Sequence, residues 1–184
     1  MSYCRFCAAK APEEVNRFYH DNHYGFPIDS DDELFGRLIL EINQAGLSWQ
    51  TILNKQENFR KAFDDFSIAR VAAYEEAKIA DLMQDAGIIR NKLKINAVIH
   101  NANQILALQK EYGSFQNWLN HNDSKTKEEW VKLFKKTFKF VGGEIVNEFL
   151  MSSGYLKGAH EETCPIFDSV KSKNPNWLKY EKNI

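Results

Sequence analysis

The chain has 184 residues, of which 43% are hydrophobic, 27% charged and 13% aromatic, with a formal net charge of −1. This composition fits a soluble globular protein with one sizeable core and excludes a low-complexity or strongly charged disordered chain. No apolar run reaches bilayer length, the N-terminus lacks a signal-peptide core, and three cysteines argue against a disulfide framework, so a cytoplasmic protein with no membrane contact is expected.

Residues 1–29 are dense in polar, aromatic and metal-capable side chains and weak in periodicity, which predicts short helical turns and loop over a pocket. Ser30-Asp31-Asp32-Glu33 has capping-box spacing and opens a helix over 31–45, with Leu34, Leu38 and Ala45 on one face and Gly46 as its stop. Glu41 lies on that same apolar face, where an unpaired charge is costly. It must pair with a cation, sit at a boundary or face a polar pocket. Ser48 caps the next helix, whose stripe is Trp49, Ile52, Leu53, Phe59 and Phe63. Helices near 68–74 and 76–85 follow.

The segment 86–92 is a tight connection between helices, with Gly87 supplying backbone freedom. A helix over 91–112 follows and ends at Gly113, then a short one over 115–119. Thr126-Lys127-Glu128-Glu129 repeats the capping-box pattern before a helix with Trp130, Val131 and Phe134 on one side and Lys132, Lys135, Lys136 and Lys139 on the other. Gly142-Gly143 precedes a last helix over 144–153. The lysine-rich stretch 165–184 has no strong period and is expected to be a flexible tail. With no β-alternation anywhere, the fold class is all-α: about eight or nine helices forming one compact domain over 1–184.

Three groups of residues carry chemistry. His160-x-x-x-Cys164 has a usual zinc-ligand gap, and Cys4 with either Cys7 or His20 completes a set of four. Either set would clip the chain ends together in a closed, structural site; free thiols and surface histidines are the plainer alternative. The 86–92 hairpin suits a phosphate, because amides at the N-terminus of the following helix, the helix dipole, and Arg90, Lys92 and Lys94 all favour an anion. Its plainer reading is an ordinary turn with a solvated basic end. Glu41 and Trp49, held by one tight turn, could grip a flat hydrogen-bonding ligand.

Together these residues resemble the 3-methyladenine DNA glycosylase I family of the helix–hairpin–helix glycosylase superfamily. The matching segments run in family order: Tyr19-His20-Asp21, Gly25-x-Pro27, Leu40-Glu41, Gln44-Ala45-Gly46-Leu47-Ser48-Trp49, Gln84-Asp85-Ala86-Gly87-Ile88-Ile89-Arg90, Phe138-Lys139-Phe140-Val141-Gly142 and His160-x-x-x-Cys164. The resemblance implies a helix–hairpin–helix fold and excision of 3-methyladenine from alkylated double-stranded DNA. The free base is released and an abasic site is left. It implies a structural zinc (Zn2+) on Cys4, His20, His160 and Cys164, which favours His20 over Cys7. Glu41 then contacts the adenine edge as the catalytic residue, with Tyr19 and Trp49 in the base pocket. Gly87, Ile88, Ile89, Arg90 and Lys92 grip the DNA phosphate. Phe6 and Tyr24 stand where the family commonly has tryptophan and keep an aromatic ring at the pocket. His23 replaces a usual acid, and Ile89 stands where many hairpins of the superfamily carry a second glycine.

Many glycosylases of the superfamily carry an acid on the helix after the hairpin, but here residues 100–108 contain neither Asp nor Glu. A two-carboxylate scheme then has no obvious second partner, and the cationic leaving group is expected to do much of the work. No lysine nucleophile is required, so a monofunctional, monomeric enzyme is expected. The rival reading is a non-catalytic, zinc-clipped module that binds damaged DNA. It uses the hairpin and the basic helix but has no use for Glu41.

Overall fold

Helix α3 (Asp31–Gln44) is buried on every side from Leu34 to Asn43, so it forms the axis of the molecule and not an amphipathic surface helix. The computed structural model describes residues 2–181, which form helices and connections with no strand among them. Before α3 come α1 (Tyr3–Ala8) and α2 (Val15–Asn22). After it come α4 (Trp49–Leu53), α5 (Gln56–Ala62), α6 (Ile68–Ala72), α7 (Glu76–Gln84) and the long α8 (Lys92–Tyr112). Then follow α9 (Phe115–His121), α10 (Lys127–Thr137), α11 (Gly143–Ser152), α12 (Phe167–Ser172) and α13 (Leu178–Glu181). The core gathers Leu34, Phe35, Leu38, Ile39 and Ile42 of α3 with Phe59, Phe63, Val98, Ile105, Trp130, Phe134 and Phe149 from the surrounding helices.

The acids that open α3 serve other helices as well as their own. Ser30 Oγ accepts from the Glu33 amide at 3.4 Å, but Glu33 does not complete a capping box; it forms a two-pronged ion pair with Arg60, both contacts 2.8 Å. Asp31 accepts from the amides of Phe115 (2.7 Å) and Gln116 (2.9 Å), and Asp32 from the amide of Ile68 (3.0 Å). Each carboxylate satisfies amides at a neighbouring helix start that would otherwise be unpaired. Gly36 has a packing reason: a Cβ there would lie 2.3 Å from the Phe66 ring, which rests directly on the α3 backbone. At Thr126 the capping box is complete.

Two expectations are corrected. The stripe from Trp49 to Phe63 belongs to two helices, α4 and α5, separated at Asn54-Lys55. The apolar residues would share one face of a continuous helix, but the chain breaks at Lys55, which takes φ −104° and ψ 0°; Leu53 is buried on one side of the break and Phe59 and Phe63 on the other. The stretch after Pro165 contains α12 and α13, with Phe167, Val170 and Trp177 buried and the Trp177 amide bonded to the Gly154 carbonyl at 3.2 Å. Helices this short leave too few residues to display a period. Residues 182–184 of the expected flexible tail lie outside the described residues.

Lys94 is a buried cation. Its Nζ donates to the carbonyls of Asn43 (2.9 Å) and Ala45 (2.8 Å), closing the C-terminus of α3 from the first turn of α8. The sequence reading that gave Lys94 to a phosphate is therefore corrected: its charge is spent inside the protein. Replacing Lys94 with Met should destabilise the fold by about 2–3 kcal/mol, because two buried carbonyls lose a charged donor. The exposed Lys92–Glu76 pair (2.9 Å) provides the control: Lys92→Met should cost less than about 1 kcal/mol. Urea denaturation of both variants measures the difference, and equal losses would contradict the role given to Lys94.

Candidate active site and metal centre

The turn from α3 into α4 builds one corner of a cavity. Gly46 takes φ +85°, a conformation open to glycine, and Gln44 Nε2 braces the turn by donating to the Leu47 carbonyl at 2.9 Å. Ser48 caps α4 through the Thr51 amide at 3.2 Å. Glu41, Gln44 and Trp49 thereby face a cavity of about 460 Å3, also lined by Tyr3, Tyr19, Tyr24, Glu144 and Glu148. Its aromatic wall is continuous: Tyr19 meets Trp49 edge-on at 5.3 Å between centroids, and Tyr3 meets Tyr24 edge-on at 5.4 Å. The volume suits one small planar ligand held by a few polar groups.

Glu41 is 4% exposed and makes no hydrogen bond or ion pair among the described residues. The cation one turn earlier, Arg37, does not pair with it. Arg37 Nη1 donates to the Ser152 carbonyl at 3.1 Å, and the guanidinium lies 5.1 Å from the Tyr19 ring centre. Burial pushes the Glu41 carboxyl up to about 8, with Glu148 adding to the rise and Arg37 opposing it. The Tyr19 hydroxyl is also buried without a hydrogen-bond partner. Two unpartnered polar groups in one aromatic cavity are a standing cost that a hydrogen-bonding ligand would relieve.

The structure brings together Tyr19, Tyr24, Glu41 and Trp49 as the sequence predicts, but not Phe6. Phe6 is absent from the cavity lining and is 39% exposed; its ring stacks outside that of Tyr3, at 6.2 Å. Tyr3, three residues earlier on the same face of α1, takes the inner place. Sequence reasoning also missed Glu144 and Glu148. Glu148 interrupts the apolar run Ile145, Val146, Phe149, Leu150 of α11, the same signal that singled out Glu41. Residues 100–108, where a second acid was sought, instead supply Asn101. It is fully buried and clamps the backbone of Lys139 through bonds of 2.8 and 3.0 Å.

At the hairpin, Gly87, Ile88, Ile89, Arg90 and Lys92 lie together between α7 and α8, with Ile88 buried and Arg90 and Lys92 exposed. The free amides differ from those expected. Asn91 Oδ1 takes the amides of Leu93 (3.0 Å) and Lys94 (3.2 Å), and Asp85 takes that of Gly87 (2.7 Å). The amides of Ile89, Arg90 and Lys92 have no acceptor among the described residues. Lys55 Nζ fixes the loop by donating to the carbonyls of Ala86 (2.9 Å) and Gly87 (3.3 Å). Lys92 already pairs with Glu76, whereas Arg90 has no ion pair among the described residues. The lysines at 132, 135, 136 and 139 are exposed, as the sequence predicts.

Cys4, His20, His160 and Cys164 bring one ligand atom each within 4.8 Å of one another. Cys164 Sγ lies 3.7 Å from His20 Nε2 and 3.6 Å from His160 Nδ1, and Cys4 Sγ lies 3.8 Å from His160 Nδ1. A tetrahedron with zinc–sulfur and zinc–nitrogen bonds of about 2.3 and 2.0 Å has edges of roughly 3.3–3.8 Å, so this set could hold a metal ion. The outer ring nitrogens are occupied: His20 Nδ1 by Asp21 Oδ1 at 2.6 Å and His160 Nε2 by the Tyr24 carbonyl at 2.7 Å. Cys7 stands apart, its thiol donating to the Asn16 carbonyl at 3.5 Å. Of the two ligand sets, only the one with His20 is assembled.

Residues 8–132 match the model of the methyladenine glycosylase family. The chain is 37% identical over 172 residues to a protein of Escherichia coli K12 named DNA-3-methyladenine glycosylase 1, covering 83% of this chain and 91% of that one. It is similar in structure to 3-methyladenine DNA glycosylase I from Staphylococcus aureus, with TM-score 0.79 and 30% identity over 90% of this chain and 97% of that one. A variant 3-methyladenine DNA glycosylase I solved in complex with 3-methyladenine also aligns. Its TM-score is 0.79 and its identity 31%, over 87% of this chain and 96% of that one.

The burial of Glu41 has a consequence for stability. Its carboxyl titrates near 8 in the fold against 4.5 when unfolded, so between these values the folded protein holds a proton that the unfolded chain has lost. Stability therefore falls as pH rises through this window. Glu41→Gln should abolish that decline. Measured by urea denaturation at about pH 5 and about pH 8.5, wild type should lose on the order of 3 kcal/mol more than the variant. Parallel pH profiles would show that Glu41 is not held protonated.

Proposed function

The chain belongs to the methyladenine glycosylase family, and from that premise we propose how its cavity and hairpin work. The protein is a DNA repair glycosylase that hydrolyses the N-glycosyl bond of 3-methyladenine in alkylated DNA. The observation that supports the residue roles is the unpartnered Glu41 carboxyl beside the unpartnered Tyr19 hydroxyl, inside an aromatic cavity. The enzyme is favoured over a non-catalytic damage-binding module by the relatives, which are named DNA-3-methyladenine glycosylases.

The substrate is double-stranded DNA. Arg90 and the amides of Ile89 and Arg90 grip a phosphate, while the exposed lysines of α10 attract the backbone more diffusely. Unstacking the target nucleotide costs a few kcal/mol, and the lesion, already a poor partner, lowers that cost. The extruded base lies against Trp49 and Tyr19, whose ring faces attract its positive charge. Glu41 accepts from the exocyclic amine edge. The approaching cation opposes the effect of burial and draws the carboxyl into its ionised form. As the bond from N9 to C1′ breaks, its electron pair returns to the ring and the base leaves as neutral 3-methyladenine. Water adds at C1′ and sheds its proton, leaving an abasic site. No lysine attacks C1′, so the strand is not cut.

We assign zinc to Cys4, His20, His160 and Cys164. The two-cysteine, two-histidine set fits that ion, and four protein ligands leave no position for water, so its contribution is structural. The enzyme acts as a monomer of one domain in the cytoplasm, where thiols such as Cys4, Cys7 and Cys164 stay reduced.

Release of 3-methyladenine from methylated duplex DNA tests the site. Glu41→Gln should lower kcat/KM by roughly 10–100-fold, and full retained activity would remove Glu41 from the mechanism. Elemental analysis should find one zinc per chain. Cys164→Ser should lose the metal and lower Tm by roughly 5–10 °C, whereas a metal-free wild-type protein would overturn the zinc assignment.

A further inference from the structure

The proposed mechanism leaves Glu148 unused. It projects from α11, the far side of the cavity from Trp49 in sequence, and lines the same space as Glu41. Tyr24 holds it: the phenol donates to Glu148 Oε2 at 3.0 Å, and Tyr24 is itself anchored through its carbonyl to His160. Glu148 makes no ion pair within 4 Å among the described residues. No lysine or arginine lines the cavity, so Glu41, Glu144 and Glu148 give it three acidic groups and no cation.

These acids are not equivalent. Glu144 is exposed at the rim, while Glu148 is half-buried. Glu41, with its carboxyl pushed up to about 8, is mostly protonated in the empty cavity at neutral pH. Glu41 ionises only as a cation arrives, so in the empty cavity it supplies little of the charge that draws one in. Burial raises Glu148 too, and Glu144 adds to the rise while the phenol hydrogen bond opposes it; but Glu148 is only half-buried and accepts from Tyr24 at 3.0 Å, whereas Glu41 is buried with no partner, so Glu148 is the better placed of the two inner acids to carry a negative charge.

We propose that Glu148, clamped by Tyr24, is a specificity-determining residue that selects positively charged purines over neutral ones in the Glu41 pocket. This rests on the glycosylase reading above and deepens it. The substrate base is cationic and the released base is neutral, so the same carboxylate favours capture of the lesion and departure of the product. Undamaged adenine, which is neutral, gains nothing from Glu148. A charge near the base contributes to substrate binding more than to bond cleavage, because the base loses its charge as the bond breaks.

The test is binding of two free ligands that share the methylated purine, followed by the quenching of tryptophan fluorescence or by calorimetry. One is 3,9-dimethyladeninium, a fixed cation whose N9 methyl stands for the sugar; the other is neutral 3-methyladenine at mildly alkaline pH. Glu148→Gln, which keeps shape and can still accept from Tyr24, should weaken the cation about tenfold and the neutral base less than about threefold. Glu148→Asp, which keeps the charge, should recover part of the preference, and KM for methylated DNA should rise more than kcat falls. Equal losses for both ligands would mean a packing role, and no loss for either would mean no role; each overturns the proposal while leaving the glycosylase reading intact. If wild-type protein binds neither ligand, that reading of the cavity falls, and the role of Glu148 falls with it.

Discussion

The ammonium of Lys94 joins the two halves of the working surface. It belongs to the first turn of α8, four residues beyond Arg90, and it closes the C-terminus of α3 at Asn43 and Ala45. The turn it closes is the one that sets Glu41 against Trp49. The hairpin that would hold a phosphate and the corner that would hold the base are therefore fixed to each other by two short charge-assisted hydrogen bonds, one buried and one partly buried. Without them α3 would end in two unsatisfied carbonyls, and the spacing between backbone grip and base pocket would be free to drift. Misplacing reacting groups by an ångström is enough to cost a large part of the rate.

The second constraint is a separation of charge that the net value of −1 conceals. The lysines of α10 and Arg90 are exposed, whereas Glu41, Glu144 and Glu148 line the cavity. A polyanion is drawn to the first set and repelled by Glu144 and Glu148 of the second, so the backbone is held outside while a group of positive charge gains by entering. Such an arrangement discriminates by electrostatics before any hydrogen bond is read. Cancelling totals say nothing about it, because the two sets of charges act on different parts of the same ligand.

Much of this was legible in the sequence where a residue broke a local rule. Glu41 stood out as a charge on an apolar helix face, and by chemical type and spacing His160, Cys164 and Cys4 stood out as candidate metal ligands, with the resemblance choosing His20 over Cys7 as the fourth. The turn at Gly46 and the cap at Ser48 followed from helix-terminus chemistry. What stayed hidden depends on contacts between distant segments. Lys94 reads as one more hairpin cation until α3 is seen ending against it. Tyr3 and Phe6 share one face of α1, and only the docking of that helix decides which ring is inside. Glu148 breaks the same rule as Glu41, but the superfamily pattern places a second acid on the helix after the hairpin and not on α11. The break between α4 and α5 left no mark in the apolar pattern, because Trp49, Ile52, Leu53, Phe59 and Phe63 would share one face of a continuous helix.

The cysteine–histidine cluster also bears on the pocket, although it lies outside it. His160 Nε2 meets the Tyr24 carbonyl at 2.7 Å, and His20 packs edge-on against Tyr3 with centroids 5.6 Å apart. Tyr3 and Tyr24 are two of the aromatic walls, and Tyr24 is also the residue that holds Glu148. Each histidine thus uses one nitrogen for the cluster and turns the rest of its ring toward a wall of the cavity. A fixed imidazole orientation is what metal ligation and its outer hydrogen bonds impose. A metal held by the four residues would therefore do more than join the two chain ends: by fixing His20 and His160 it would fix Tyr3 and Tyr24. Through Tyr24 it would reach the one carboxylate whose position decides which charge the pocket accepts.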